Sequence, residues 1–378
     1  MEEKRVTKIL VDARHLLSPV RTGVHVYTLE VLKALKSNPT ISLTLFAPSW
    51  NQDARLPKPL QNLPTYSGRF PSKLLKLAFF LKLITMEALA GGKQSFDEVW
   101  LPNREIIHSK LPITLTVHDL SPSISPHFFP LKHRILWFLS MRRLLKQATR
   151  FLAVSESTQQ DLVELYKINP ATIYVTPLAA SSNYTPKRQP SDHTFLNYYP
   201  TKHPYLLYLG TLDPRKNIES IVEAFNLLKK KGELKHYQLL IAGSKGWKMN
   251  RLFQLIAKSD TKDSIHLIGY VKEEHKPALI RSASALLFPS FYEGFGLPVL
   301  ESIQCGTPVV HSFARALMEV AGDAGIPVDP FDINNLARGI INSQNPVIRE
   351  SLKGRMKARS ERFSWQITAK LTAAALTS

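Results

Sequence analysis

Cysteine is almost missing from this chain: one residue, Cys305, in 378. That excludes an internal disulfide framework and any multi-cysteine zinc or iron–sulfur site. Long apolar runs are missing too. The most apolar stretch, LAFFLKLITMEALAGG (77–92), is broken by Lys82 and Glu87, and falls short of the roughly 20 apolar residues that a spanning helix needs. The N-terminus, MEEKRVTKILVDAR, carries acidic residues where a signal peptide is basic. These absences predict a cytoplasmic protein with no spanning segment. Acidic side chains are also scarce. Thirty Asp+Glu against 49 Lys+Arg leave a net charge of +19. Such a surplus attracts nucleic acid, anionic lipid or phosphorylated small molecules. Residues 1–185 hold 23 basic and 13 acidic side chains, and the remainder 26 and 17. The excess is therefore spread over both halves, with no basic tail and no nucleic-acid module. Two clusters lack acids: Arg69, Lys73, Lys76 and Lys82, then Lys132, Arg134, Arg142, Arg143, Lys146 and Arg150. Leu, Phe and Trp137 are interleaved with them, which fits either an anionic membrane surface or a solvated face over core residues.

What is present is an alternation. The length suits two domains of about 150 residues each with some left over. KILVDA (8–13) reads as a strand, followed by a turn and a helix with Val26, Leu29, Leu32 and Leu35 on one face. PITLTVHDL (112–120) and RFLAVS (150–155) read as further strands. Ser155 is placed to cap the helix that follows the second. Residues 181–204 are rich in Pro, Ser, Thr and Asn and read as a linker. The alternation then restarts with YLLYLG (205–210) and a helix bearing Ile218, Ile221, Val222, Phe225 and Leu228. LLIAG (239–243), IHLIG (265–269), ALLFPS (285–290) and TPVVHS (307–312) follow. Short apolar strands separated by helices predict an α/β chain of two Rossmann-like domains, their parallel sheets facing a cleft. The boundaries fall at 1–185 and 186–361. The last segment reads as a helix anchored by Phe363 and Trp365.

Ligands of open parallel sheets sit beyond the carboxyl ends of the strands. Three polar groups stand there. Arg215 and Lys216 follow YLLYLG just before a helix pattern, where free backbone N–H groups favour phosphate; the alternative is a pair of solvated helix-start charges. FYEGFGLPVLES (291–302) follows ALLFPS, with glycines on either side of Phe295, Glu293 in the loop and Glu301 in the next helix. Two carboxylates there suit paired hydroxyls, of a sugar and of a ribose, or they are ordinary surface glutamates. His118 and Asp119 follow ITLTV, and a lone histidine at a strand end is often structural. Cys305 reads as a small buried residue. The chain has no Asp-x-Asp metal pair, phosphate-binding Gly-x4-Gly-Lys loop, His-Glu-x-x-His or Gly-x-Ser-x-Gly.

YEGFGLPVLE (292–301) resembles the Glu-x7-Glu signature of the family 4 retaining glycosyltransferases, which have the GT-B fold. GTLDPRKN (210–217), AGSKGW (242–247), IGYV (268–271), CGTPVV (305–310) and EVAGDAGIPVDP (319–330) stand around it. RTGVHVYT (21–28), TVHDLSP (116–122), AVSESTQQDL (153–162) and RFSW (362–365) extend the resemblance over nearly the whole chain. It implies that Arg215 and Lys216 bind the diphosphate of a nucleotide sugar and that Glu301 holds the ribose. Glu293 would contact the transferred sugar, with the backbone of Gly294, Phe295 and Gly296 completing the pocket. His118 would approach the reacting centre, and Gly23 would let its loop near the donor phosphates or the acceptor. The terminal helix, 362–378, would cross back onto the first domain. No metal or other cofactor is implied.

The likeness is greatest to the O-antigen mannosyltransferase branch. It implies GDP-mannose as donor, with a glycan or lipid-linked acceptor; the basic clusters suit a peripheral place on the inner face of the cytoplasmic membrane. UDP-glucose, UDP-GlcNAc and dTDP-rhamnose are the alternative donors. A phosphorylase, a sugar-nucleotide hydrolase, a silent partner and a nucleic-acid-binding protein are the remaining readings, and no nucleic-acid partner is expected. Three departures from the family pattern stand out. His25 replaces a glycine and would narrow the approach to the donor or face the acceptor. HSFARALME (311–319) replaces a Ser-Ser-Leu-Pro-Glu segment, and TPLAA (176–180) stands where many relatives have an Asn-Gly turn.

Overall fold

The computed structural model describes residues 5–18, 22–51, 53–91 and 95–378. Among them the chain forms two parallel sheets, each in its own compact unit. The first unit comprises Met1–Ser123, Leu131–Ala179 and Ser364–Ser378; the second comprises Ile124–Pro130 and Ala180–Phe363.

The first sheet has seven strands: β1 (Thr7–Asp12), β2 (Ile41–Phe46), β3 (Thr65–Tyr66), β4 (Glu98–Leu101), β5 (Ile113–Val117), β6 (Arg150–Ala153) and β7 (Ile173–Val175). Their order is β3-β2-β1-β4-β5-β6-β7. Sequence pattern predicts β1, β5 and β6. The pattern also carries β2, six residues between turns that hold Pro39 and Pro48, which the reading above omits; β3, β4 and β7 have only two to four residues. The strands read as near-continuous apolar runs because helices cover both faces of a parallel sheet. Ile113–Val117 is buried at every position. Helix Gly23–Leu35 buries Tyr27, Thr28, Val31, Leu32 and Leu35. Val26 and Leu29, expected on that face, are only half-buried, so the core-facing stripe is turned from the predicted one. Ser155 caps helix Glu156–Tyr166, accepting from the Thr158 amide as expected.

The second sheet has six strands: β8 (Tyr205–Leu209), β9 (Gln238–Ala242), β10 (Ile265–Gly269), β11 (Ala285–Phe288), β12 (Val309–Ser312) and β13 (Ile326–Val328). Their order is β10-β9-β8-β11-β12-β13. Helix Ile218–Lys230 buries Ile218, Ile221, Val222, Phe225 and Leu228, the predicted face. In each sheet the order reverses beside one strand, β1 in the first and β8 in the second. The crevice beyond such a strand's carboxyl end is where open α/β sheets bind ligands.

Two segments depart from the sequence reading, and the terminal helix follows it. Residues 181–204 are packed rather than free. Tyr184 is buried, Asp192 pairs with Arg281 at 2.8 Å, and Phe195 stacks on His275. Residues 124–130, expected within the first domain, belong to the second unit. There Trp247 Nε1 donates to the Phe128 carbonyl at 2.8 Å, and the Phe128 ring stacks on Phe291. The terminal helix Trp365–Leu376, capped by Ser364, packs against helix Gly23–Leu35 of the first unit. Thr368 Oγ1 donates to the Pro177 carbonyl at 2.5 Å. The chain passes from the second unit to the first between Phe363 and Ser364.

Candidate active site

The carboxyl end of β8 is built by two loops that hold each other. Beyond the strand, Leu212 N donates to Ser244 O and Gly246 N donates to Leu212 O, each at 2.9 Å. The approach is so close that a Cβ on Gly246 would lie 2.2 Å from the Leu212 carbonyl oxygen. Only glycine fits. This pairing is the structural content of the GTLD and AGSKGW motifs.

Asp213 then accepts from the Arg215 amide and starts a single 3-10 turn, Pro214–Lys216. The two cations therefore lie on that turn, one step before helix Ile218–Lys230. Asn217 joins the two elements with φ at +56°. Its side-chain amide donates to the carbonyls of Pro289 and Pro330, tying the turn to the loop after β11. Arg215 and Lys216 are 8% and 9% exposed. They are not solvated helix-start charges.

Both reach Glu293. Lys216 Nζ lies 2.5 Å from Glu293 Oε1, and Arg215 Nη1 lies 3.1 Å from Oε2. Arg215 also donates to the Tyr292 carbonyl at 2.5 Å, and its own carbonyl accepts from the Phe291 amide. Burial alone would raise the Glu293 pKa. The charges of Lys216 and Arg215, with the hydrogen bond from Lys216, outweigh it and bring the pKa down to about 2. Asp213 lies at the edge of the same network, 3.9 Å from Arg215. There burial wins, and its pKa is raised. The motif residues expected to grip diphosphate and sugar separately thus form one buried, charge-balanced cluster.

Glu301 sits in helix Leu297–Gln304. Gly296 begins that helix at φ +102°, and a Cβ there would lie 2.4 Å from Leu317 Cδ2. Leu317 belongs to the unusual 311–319 segment, so that departure from the family pattern packs directly behind the Gly296 turn. Phe295 is buried and meets Phe363 edge-on. Glu301 is buried and accepts a hydrogen bond from the Tyr184 hydroxyl. Burial raises its pKa to about 7; Lys276 opposes the rise and Glu273 adds to it. Asp213, Tyr184 and Lys276 were not predicted from sequence. Asp213 could have been, as an Asp-Pro start to a capped turn. Tyr184 and Lys276 meet Glu301 only through the fold.

His118 follows β5 in the first unit. Its Nε2 lies 2.8 Å from the Pro102 carbonyl, which can only accept, so Nε2 carries the proton. Tyr27 packs edge-on to the ring at 5.0 Å. Burial lowers the His118 pKa, leaving a neutral imidazole with a free lone pair at Nδ1. Gly23 is the first residue of its helix and is exposed. Arg21, in the same motif, lies outside the described residues. His25 is buried at 3% exposure. Cys305 is buried, and burial pushes its thiol up to about 12, which removes it as a nucleophile.

Residues 21–180 match the family model Glycosyltransferase Family 4, and residues 196–345 match Glycosyl transferases group 1. The O-antigen chain mannosyltransferase B of Escherichia coli is 36% identical over 269 residues, which are 70% of each chain. The chain belongs to the family 4 glycosyltransferases.

Solved structures agree on the fold of this glycosyltransferase. Sucrose-phosphate synthase from Thermosynechococcus elongatus matches with a TM-score of 0.77 at 19% identity, over 97% of this chain and 98% of that one. HepE of Anabaena, in complex with UDP and glucose, matches with a TM-score of 0.75 at 18% identity, over 98% and 100%. The fold is GT-B, with two Rossmann-like units. Among the described residues no helix is long and apolar enough to cross a membrane. The cation clusters are divided by the fold. Arg143 donates to the carbonyls of Phe79 and Phe80, and Arg150 pairs with Glu98 at 3.0 Å. Lys73, Lys82, Lys132, Arg134, Arg142 and Lys146 remain exposed.

Proposed function

We propose that this glycosyltransferase moves a hexose, mannose favoured, from a nucleotide diphosphate sugar to a glycan or lipid-linked acceptor in cell-surface polysaccharide synthesis. GDP-mannose is the favoured donor. The observation that carries the reading is the buried cluster of Arg215, Lys216 and Glu293 beyond the carboxyl end of β8. The chain's likeness to the O-antigen mannosyltransferase supports the choice of sugar, and the HepE complex supports a nucleotide-sugar donor.

Arg215 and Lys216 take the diphosphate, and Glu301 takes the ribose hydroxyls. Glu293 and the backbone of Gly294, Phe295 and Gly296 take the sugar, with His118 at the reacting centre and Gly23 near the donor phosphates. In the reaction the bond from the sugar's anomeric carbon to the diphosphate oxygen breaks. A bond to the acceptor oxygen forms on the same face, and the acceptor proton passes to the departing diphosphate. The configuration is retained. Two fixed cations meet the charge that builds on the leaving group, which is electrostatic stabilisation prepared in advance, so the reading requires no metal. A covalent intermediate on Glu293 is disfavoured. A carboxylate already held by two cations, with its pKa at about 2, is a weak nucleophile.

The reading extends to a peripheral contact with anionic membrane through the first unit. Exposed Leu74, Leu77, Phe80 and Leu83 near helix Ser72–Phe80 adjoin exposed Ile135, Leu136, Phe138 and Leu139 of helix Leu131–Gln147. Arg143 ties the two helices together. Their apolar residues are therefore not all core, and exposed cations surround them.

Thermal unfolding with GDP-mannose, UDP-glucose, UDP-GlcNAc and dTDP-rhamnose tests the donor. A ligand at 100 times its Kd stabilises by about 2.7 kcal/mol. One donor should raise the Tm, and Glu301→Ala and the Arg215→Ala/Lys216→Ala pair should fold but lose the response. No response to any nucleotide sugar, together with one to oligonucleotides, would overturn the reading.

A further inference from the structure

The first unit contains a cavity of about 190 Å³ beside His118. It opens at the carboxyl ends of β4 and β5. Asn103 and Arg104, after β4, form one wall, and His118 and Asp119, after β5, form the second. Trp137 and Met141 of helix Leu131–Gln147 form the third. These groups are held in place by contacts that leave the cavity open. The Arg104 guanidinium lies 4.4 Å from the centre of the Trp137 ring and donates to Ser140 Oγ. Trp137 Nε1 donates to Ser123 Oγ at 2.7 Å. Asp119 Oδ1 accepts from the Ser121 amide and hydroxyl at 3.1 and 2.8 Å.

The chemistry of the lining discriminates between ligands. Arg104 and Asp119 cancel in charge, and Asn103 adds a donor and an acceptor. His118 donates through Nε2 to Pro102, and its burial disfavours the charged form. Glu105, beside Arg104, is already paired with Lys76 at 2.9 Å. A phosphate or carboxylate entering this cavity would meet the Asp119 carboxylate, whereas a ring of hydroxyls would find donors and acceptors on several sides. The volume is below the roughly 300–1,000 Å³ of pockets for drug-sized ligands, so it suits one ring.

We propose that this cavity takes an uncharged pyranose, the terminal sugar of the acceptor, with Arg104 and Asp119 as the pair that sets its preference for neutral over phosphorylated acceptors. The proposal rests on the transferase reading and adds to it the chemical class of the acceptor's reacting end.

The test uses the full chain and two probes, methyl α-mannopyranoside and mannose 6-phosphate, with binding followed by saturation-transfer NMR and calorimetry. The wild type should bind the neutral sugar about tenfold or more tightly than the phosphorylated one, the difference expected from an unfavourable charge in a partly buried site. Arg104→Gln should weaken the neutral sugar by about tenfold, the loss expected for a charge-assisted hydrogen bond. Asp119→Asn keeps the acceptor for Ser121 but leaves Arg104 unbalanced. It should weaken the neutral sugar and shift the ratio towards mannose 6-phosphate, which a merely structural role for Asp119 would not do.

A wild type that prefers mannose 6-phosphate would overturn the proposal. So would neutral-sugar binding that neither variant changes by more than about twofold. The nucleotide-sugar thermal response, recorded on the same samples, separates the two levels. If the wild type responds to a donor and the variants leave sugar selectivity untouched, the cavity assignment fails and the transferase reading stands. If the wild type responds to no donor, the transferase reading fails and the acceptor assignment falls with it.

Discussion

Glu293 and Glu301 belong to one loop-and-helix segment, are both buried, and titrate in opposite directions. Glu293 meets Lys216 and Arg215, and its pKa falls to about 2. Around Glu301 burial, with the like charge of Glu273, outweighs Lys276 and the Tyr184 hydroxyl, and its pKa rises to about 7. Residue type and burial are the same, so the neighbours decide. The difference matters for the proposed roles. A carboxylate with two fixed cations is a permanent anion that organises charge. One held near neutrality by burial is ready to exchange its hydrogen-bond partner for a ligand's hydroxyls.

The largest effect should come from breaking the paired member. Glu293→Gln leaves two buried cations with only the more distant Asp213 as counter-ion. The span from the ordinary 4.5 to about 2 corresponds to about 3 kcal/mol of native-state stabilisation. That contribution is fully present above pH 4.5 and is lost as pH falls through about 2. Urea unfolding should therefore show a large destabilisation at pH 7 that shrinks towards pH 2. An equal loss at both ends would mean that packing, not charge, sets the cost.

The other member should behave with the opposite sign. Glu301 has a raised pKa, so its ionisation works against the fold. The cost is absent below pH 4.5 and complete once pH rises through about 7. Glu301→Gln should stabilise the ligand-free protein by up to about 3 kcal/mol at pH 8 and by little at pH 4. If unfolding curves for this variant match those of the wild type at pH 8, Glu301 does not retain its proton, and the contrast between the two carboxylates collapses.

The same contrast explains what could be read in advance. β8 to β12 are short apolar runs bounded by glycine, proline or polar turns, and the pattern finds them. β3 has two residues and carries no periodicity. Arg215 and Lys216 are visible as cations just after a strand. That both turn inward onto Glu293 depends on Asn217 bridging two loops that are distant in sequence. Tyr184 sits in a stretch whose Pro, Ser and Asn content fits a linker or a packed loop equally well. Only its burial beside Glu301 distinguishes them. Local pattern reports local geometry, whereas a carboxylate's pKa is set by residues far along the chain.

A milder version of the contrast separates the buried cations of the second unit from the exposed ones of the first. Arg215 and Lys216 lie under about a tenth exposed and have fixed partners. Lys73, Lys82, Lys132, Arg134, Arg142 and Lys146 face solvent beside Leu77, Phe80, Ile135 and Phe138, which are each about half exposed. Each such cation should add only about 1 kcal/mol of attraction to an anionic surface, and salt should screen it. The chain should pellet with phosphatidylglycerol vesicles at low salt and weakly with phosphatidylcholine ones. Lys132→Glu/Arg134→Glu should remove the salt-sensitive part of the binding. Phe80→Ser/Phe138→Ser should remove what survives at high salt, because burial of apolar area is not screened. Failure to pellet with anionic vesicles at low salt would leave these cations as a solvated face, and the first unit's charge would then serve solubility rather than attachment.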